Sequence, residues 1–137
     1  MCLINKSGFT LIEFCIAVLI MMVGLLGLLQ AVNMATEHNL GSLLRNEAIS
    51  LADEKMVEAK ILPFANLVSD ASYINRRTRG GFKNYSVVRT TQPSRTVEYP
   101  PGVYTVTSQE VSVRVSWRYK GTQLSHTVST LITNPAQ

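Results

Sequence analysis

Cysteine is scarce in this chain, which restricts covalent cross-linking. The 137 residues include two cysteines, Cys2 and Cys15, and none lies further along. Small exported domains that depend on disulfides need paired cysteines within the folded part. Cys2 also lacks the preceding apolar segment of a lipoprotein signal. We therefore predict no disulfide, with Cys15 acting as a small apolar residue.

Histidine is equally scarce, and this argues against catalysis. The two histidines, His38 and His126, have no neighbouring aspartate, cysteine or serine in the arrangement of a catalytic triad. They are also too isolated for a metal site. Gly80 and Gly81 lack the flanking pattern of a phosphate-binding loop. We therefore expect no enzymatic activity, no metal and no cofactor.

Charge is absent from the sixteen residues between Phe14 and Leu29. Such an apolar run is either a signal peptide or a membrane helix. Ala31 and Ala35 form a weak cleavage pattern, which keeps the signal peptide open. Glu13 argues against it, because a carboxylate beside an apolar run costs a few kcal/mol in lipid and is seldom there without a function. Residues 9–29 are therefore predicted to form a transmembrane helix.

The residues in front of the uncharged run form the motif Lys6-Ser7-Gly8-Phe9-Thr10-Leu11-Ile12-Glu13. This motif resembles the class III signal of type IV prepilins and of type II secretion pseudopilins. The resemblance implies that residues 1–8 are a leader, which a prepilin peptidase cuts between Gly8 and Phe9. It also implies that the new terminal Phe9 becomes N-methylphenylalanine. Lys6 favours retention of the leader on the cytoplasmic side.

Glu13 would be the fifth residue of the processed chain, which is the acidic position of these families. The resemblance implies that its carboxylate attracts the terminal amine of a neighbouring subunit and sets the axial register of assembly. The implied partners are the prepilin peptidase, an inner-membrane assembly platform, membrane lipid before assembly, and other minor and major pilins or pseudopilins. The implied location is a single pass through the inner membrane with a periplasmic head, and later a pilus or pseudopilus.

The helix is predicted to continue well beyond the membrane. No proline occurs between Phe9 and Leu62, which permits one helix of roughly 80 Å. Residues 30–62 are amphipathic, with apolar side chains at spacings of three and four. The stripe consists of Leu40, Leu44, Ala48, Leu51, Ala52, Met56, Ala59 and Leu62. We predict that it packs on a sheet, that Gly41 is a weak point or kink, and that Pro63 ends the helix.

Two departures from the family pattern favour a minor subunit over a major one. Gln30 stands where most major pilins carry a helix-breaking proline, and the C-terminal disulfide loop of many pilins is missing. Residues 45–60, with the Pro63-Phe64 pair that follows, resemble more loosely the corresponding helix of PilV-type minor pilins and of I-type minor pseudopilins. The closest resemblance is therefore to PilV-type minor pilins.

Residues 63–137 are predicted to form a β-rich head, because their apolar residues follow a two-residue period. Strands are predicted at residues 84–91, 103–108, 111–117 and 124–133, with a basic flexible loop at 75–81 and turns at 90–94 and 99–102. A small antiparallel sheet packed on one long N-terminal helix is an α+β fold.

The last two strands are predicted to form a hairpin with a turn at Lys120-Gly121. A two-residue turn fixes the register across the ladder. The resulting pairs are Trp117 with Leu124, Val115 with His126, and Val113 with Val128.

Charge is distributed unevenly between the helix and the head. From residue 63 onward nine basic residues oppose three acidic ones, a net charge of +6, whereas residues 30–62 carry three bases and five acids, a net −2. Three interpretations stay open: contact between the acidic helix of one subunit and the basic head of another, non-specific contact with DNA, or solvated surface. For a nucleic-acid or surface contact, the candidate patch is Arg76, Arg77 and Arg79.

The sequence alone is compatible with three functions. The favoured one is a structural minor type IV pilin that primes or caps pilus assembly. The second is a minor pseudopilin at the tip of a type II secretion pseudopilus, because the same motifs serve both systems. The third is a tip protein whose basic head binds DNA or a surface.

Overall fold

The structure is a computed structural model that describes residues 10–78, 81–98 and 100–134. The predicted leader and cleavage site, with Lys6, Gly8 and Phe9, lie outside the described residues, as does Arg79. The chain divides into two compact units, Met1–Asn39 and Leu40–Gln137. We call the second unit the head.

One long helix, α1, runs from Leu11–Ile61. It ends two residues before Pro63, which has no backbone N–H to continue it. The predicted long helix is therefore confirmed. Gly41 lies within this uninterrupted helix, where a β-carbon would be 3.5 Å from Cε1 of Tyr119. The glycine thus brings α1 close to an aromatic ring of the head.

The head contains a four-stranded sheet, in which each strand is antiparallel to its neighbour and the spatial order follows the sequence. Its strands are β1 (Asp70–Thr78), β2 (Gly81–Glu98), β3 (Tyr104–Tyr119) and β4 (Thr122–Thr133). A short 3-10 turn at Phe64–Asn66 joins α1 to β1. We call the face of the sheet toward α1 the inner face and the opposite one the outer face.

The core of the head lies between α1 and the inner face. The six central residues of the predicted stripe are buried and its two end residues, Leu40 and Leu62, pack against them. The sheet contributes Tyr85, Val87, Val111, Val113, Val115 and Trp117. Burial of these apolar side chains supplies the main stabilisation of the head. The predicted α+β fold is confirmed.

Tyr85 is the largest fully buried side chain of the core. Its ring lies 6.4 Å from that of Trp117, centroid to centroid, and its hydroxyl donates to the carbonyl oxygen of Leu44 at 3.4 Å. Burial raises the pKa of the Tyr85 phenol, and the negative charge of Glu47 raises it further. The phenol is therefore held in its neutral form.

The loop predicted at residues 75–81 is wrong for residues 75–78, which belong to β1, and for Gly81, which begins β2. Half-buried side chains alternate along this strand at Ser72, Ile74, Arg76 and Thr78. Only Ile74 of these four is strongly apolar, so the sequence shows no alternation of apolar and polar residues along β1. The charge of Arg76 is accommodated on the inner face by acidic residues of α1, which a local pattern cannot reveal.

The turn predicted at residues 90–94 is also wrong, because β2 continues through it to Glu98. Pro93 pairs with Gln109, and the register shifts on either side of Arg95, which marks a β-bulge. The pairing of β1 with β2 ends at Arg89, so Pro93 has a neighbouring strand on one side only. A proline is tolerated there because its missing N–H interrupts no second ladder.

The third strand is longer than predicted, whereas the hairpin register is confirmed. The predicted strands at 103–108 and 111–117 belong to the single strand β3, which begins at Tyr104. Lys120 and Gly121 have φ values of 49° and 80°, as a two-residue turn of type I′ requires. All three predicted pairs, Trp117–Leu124, Val115–His126 and Val113–Val128, are present.

Candidate functional site

The start of α1 is closed by a capping box formed by Thr10 and Glu13. Oε2 of Glu13 accepts hydrogen bonds from the backbone N–H of Thr10 at 2.9 Å and from its hydroxyl at 2.8 Å. In return the backbone N–H of Glu13 donates to Oγ1 of Thr10 at 3.4 Å. Sequence reasoning missed this role of Glu13, although the Thr-x-x-Glu spacing was visible.

The capping leaves half of the Glu13 carboxylate available. Both hydrogen bonds from Thr10 use Oε2, and Oε1 accepts none from the described residues. No other charged residue occurs in the sequence until Glu37. Among residues 10–36 Glu13 is therefore the single acid, at the beginning of an apolar surface, and its Oε1 can accept a cation.

The surface that follows Glu13 is continuously apolar. Large apolar side chains between Leu11 and Leu29 are 39–82% exposed in the chain taken by itself. This segment gives α1 the length and composition to cross a membrane, and it is the one such helix in the described part of the chain. An apolar surface of this extent needs lipid or protein around it.

The predicted arginine patch is divided by the sheet. Arg76 lies on the inner face, where its guanidinium donates to Glu54 and its Nε lies 4.0 Å from Oε1 of Glu47. Arg77 is on the outer face opposite Phe82, and Arg79 lies outside the described residues. Arg76 is thus bound to α1 rather than presented with Arg77.

The outer face instead combines exposed aromatic rings with other arginines. Tyr73 is 85% and Phe82 is 72% exposed. Arg77, Arg114 and Arg118 share this face with Glu110. Hydroxyl and amide side chains lie in a shallow groove between Tyr73 and Arg118, namely Asn84, Ser86, Ser116 and Gln123. Such a surface favours anionic ligands with planar groups.

The sequence prediction did not find this outer surface, because it placed no strand before residue 84 and a loop at residues 75–81. Tyr73 and Arg77 acquire a common face only when the strand is recognised. The alternation Tyr73, Asn75, Arg77 was the available signal. The register then brings these residues beside Phe82 and the outer residues of β2.

The titratable residues gather into no metal-binding group in the described part of the chain. No group of three or more histidine, cysteine, aspartate or glutamate side chains is placed to hold a metal ion among residues 10–78, 81–98 and 100–134. His126 is in β4 opposite Val115, and Cys15 is exposed on the apolar part of α1. The prominent features are therefore two surfaces: the capped apolar segment of α1 and the outer face.

Comparisons of the chain with protein-family models, curated proteins and solved structures find no match. The features that bear on function are therefore the two surfaces and the motif in front of α1. Of these, the apolar surface is the more extensive, and its placement directly after the motif connects it to the family resemblance.

Proposed function

We propose that the protein is a minor type IV pilin, a structural subunit that primes or caps pilus assembly after cleavage between Gly8 and Phe9. One observation carries the proposal: a single helix has an uncharged exposed segment directly behind an isolated glutamate and, further along, a stripe buried under a sheet. The first part suits an environment without water, and the second holds a folded head.

The exposed segment of α1 would occupy the inner membrane before assembly. An uncharged helix of this length spans a hydrocarbon core of about 30 Å. On assembly its side chains would exchange lipid for the apolar helices of neighbouring subunits. Because both environments are apolar, this transfer needs no unfolding of the segment.

Glu13 would provide the directional contact in this transfer. A carboxylate in lipid is unfavourable unless it is paired. Cleavage would create an amine at Phe9, and the free Oε1 of Glu13 could accept that amine from a neighbouring subunit. The capping box would orient the carboxylate, since Oε2 is bound by Thr10.

A minor pseudopilin of a type II secretion system is the nearest alternative, because it would use the same anchor and the same glutamate. The test is complementation of a strain lacking the gene, with the wild-type chain returned in trans. We expect restored piliation and recovery of the protein in sheared pili. Restored protein secretion without piliation would support the pseudopilin, and retention in the membrane with neither effect would contradict both.

The outer face supports a second candidate function, the binding of nucleic acid at the filament tip. Its three arginines would contact phosphates, while Tyr73 and Phe82 offer rings on which bases stack. This function is independent of Arg76, whose charge is taken up by α1.

Binding of a fluorescent single-stranded oligonucleotide to the detergent-solubilised chain tests this second candidate. We expect binding that weakens with salt and is reduced by Arg114→Ala or Tyr73→Ala. Arg76→Ala, on the inner face, is the matched control. Absence of binding at low salt would remove the candidate without affecting the assembly role.

A further inference from the structure

The two edges of the sheet differ in how well they are protected. β1 and β4 are the edge strands, and the outer side of each has no neighbouring strand among the described residues. β1 carries Asp70, Arg76 and Arg77 within nine residues. β4 has twelve residues without a charge or a proline, paired to β3 in unbroken register. Natural proteins usually block such edges with charges, prolines or bulges.

We propose that β4 is an assembly edge, which pairs with β1 of a second copy of this chain and extends one antiparallel sheet across two heads. The proposal rests on the proposed function in one respect, namely that both copies are anchored in the same membrane. It adds a contact between heads to the contact between apolar helices. Main-chain hydrogen bonds between the edges would provide its affinity.

The direction of the strands selects β1 as the occupant. In a sheet of four antiparallel strands, β1 and β4 run in opposite directions. A copy displaced sideways in the plane of the sheet, without rotation, therefore places its β1 antiparallel to β4. Its inner face stays on the same side, and the head parts of the two α1 helices, residues 40–61, stay parallel.

Pairing of β4 with β4 of a second copy would have the opposite consequence. Two identical edges join antiparallel around a two-fold axis perpendicular to the sheet. That axis reverses the head part of α1, so the N-terminal ends from which the anchors lead would face opposite ways. In the β4–β1 pairing, by contrast, residue 40 of both heads lies toward the same end. The head-to-tail pairing also leaves a free β4 at one end and a free β1 at the other.

One register accommodates the whole of β1. With Val128 opposite Ile74 of the second copy, all nine residues of β1 lie beside residues 124–132. Inner residues then oppose inner residues, as a continuous sheet requires. On the outer face Leu131, 56% exposed, becomes the diagonal neighbour of Tyr73, 85% exposed. The pairing thus covers a large apolar side chain from each edge.

Cysteine cross-linking of the full-length chain in detergent tests the edge and its register. In a background of Cys2→Ala and Cys15→Ala, Thr127→Cys is placed opposite Asn75→Cys of the second copy. Both positions are exposed on the outer face. A chain with both substitutions has two reactive ends, so mild oxidation should give a ladder of dimers, trimers and longer species. A mixture of the two single variants should give a dimer only.

The controls distinguish this pairing from other contacts. Each single variant alone should remain monomeric, and Thr127→Cys with Ala71→Cys, four residues out of register, should give no ladder. Thr127→Lys as the only substitution should leave the chain monomeric in detergent. Ser112→Lys on the central strand β3 should not prevent association. Efficient cross-linking of Thr127→Cys to itself would indicate a two-fold contact and overturn the proposal. A double variant that stays monomeric would also overturn it.

The assay separates this inference from the proposed function, because it needs neither a filament nor the peptidase. If the ladder forms but the chain never enters sheared pili, the edge contact stands and the pilin function fails. If Thr127→Lys restores piliation as fully as the wild type, the pilin function stands and the edge contact fails.

Discussion

Thr10 and Glu13 hold each other by reciprocal hydrogen bonds across the first turn of α1. This pairing gives the glutamate a structural role that is separate from its proposed role in assembly. One carboxylate oxygen caps the helix and the other is free of the described residues. The two roles can therefore be separated by substitutions that change the charge and the cap independently.

Glu13→Gln should retain the cap and lose the charge. The amide oxygen of glutamine can accept the hydrogen bonds from Thr10, but a neutral side chain cannot pair with an amine. We expect normal amounts of protein in the membrane and strongly reduced recovery in sheared pili, measured by immunoblot of both fractions. Glu13→Ala should lose assembly too and also remove the acceptor of both hydrogen bonds from Thr10.

Thr10→Ala is the complementary control, because it removes the hydroxyl and leaves the charge. We expect it to assemble better than Glu13→Gln. If Glu13→Gln assembled as well as the wild type while Thr10→Ala did not, capping alone would explain the glutamate and the charge-pairing role would be discarded.

Ala48 tests the packing of α1 on the sheet, since it is 0% exposed in the core. Ala48→Leu should destabilise the head by about 1–3 kcal/mol, because extra methyl groups have no space in a packed core. The measurement is urea unfolding followed by fluorescence of Trp117, the single tryptophan, which lies in the same core. Ser50→Leu, at an exposed position of the same helix, should change the midpoint little.

Arg76 should contribute modestly to stability through its contacts with Glu54 and Glu47. All three side chains are more than a third exposed, at 35–48%, so solvent screens the interaction. Arg76→Ala should therefore cost up to about 1 kcal/mol, less at high salt. Arg77→Ala on the outer face is the matched control, and an equal loss in both variants would contradict the division of the two arginines between the faces.

Tyr85 should make the head sensitive to alkaline pH. Its pKa is raised in the folded state, so the folded head retains the phenol proton more tightly than the unfolded chain does. The stabilising contribution is complete below the unfolded value of about 10 and is lost as the pH rises above it. Unfolding curves should show a decline in stability there that is smaller in Tyr85→Phe.

Tyr73→Phe provides the comparison for this pH effect, because its ring is on the exposed outer face. It should follow the wild-type curve. The same alkaline decline in Tyr85→Phe and the wild type would mean that another group is responsible.

The sequence predicted those parts of the fold whose signal is local. The stripe from Leu40 to Leu62 follows the helical period, and the Lys120-Gly121 turn fixes the register of β3 and β4. These features depend on residues close together in the chain. Their prediction therefore needed no knowledge of the tertiary structure.

The missed features depend on distant partners. β1 contains an inward arginine that is acceptable only because Glu54 of α1 lies beside it. Pro93 fits within β2 only because β1 has already ended. The outer face was missed for the same reason as β1. The capping role of Glu13, by contrast, depends on the local Thr-x-x-Glu spacing and was predictable from the sequence.

The most direct test of the central claim is the N-terminal mass of the chain after co-expression with a prepilin peptidase. We expect loss of residues 1–8 and gain of one methyl group on Phe9, with both changes absent when the peptidase is inactive. A substitution at Gly8 should also prevent cleavage. A chain that keeps residues 1–8 in the presence of active peptidase, or that is cut after Ala31 or Ala35 instead, would contradict assignment to the type IV pilin family.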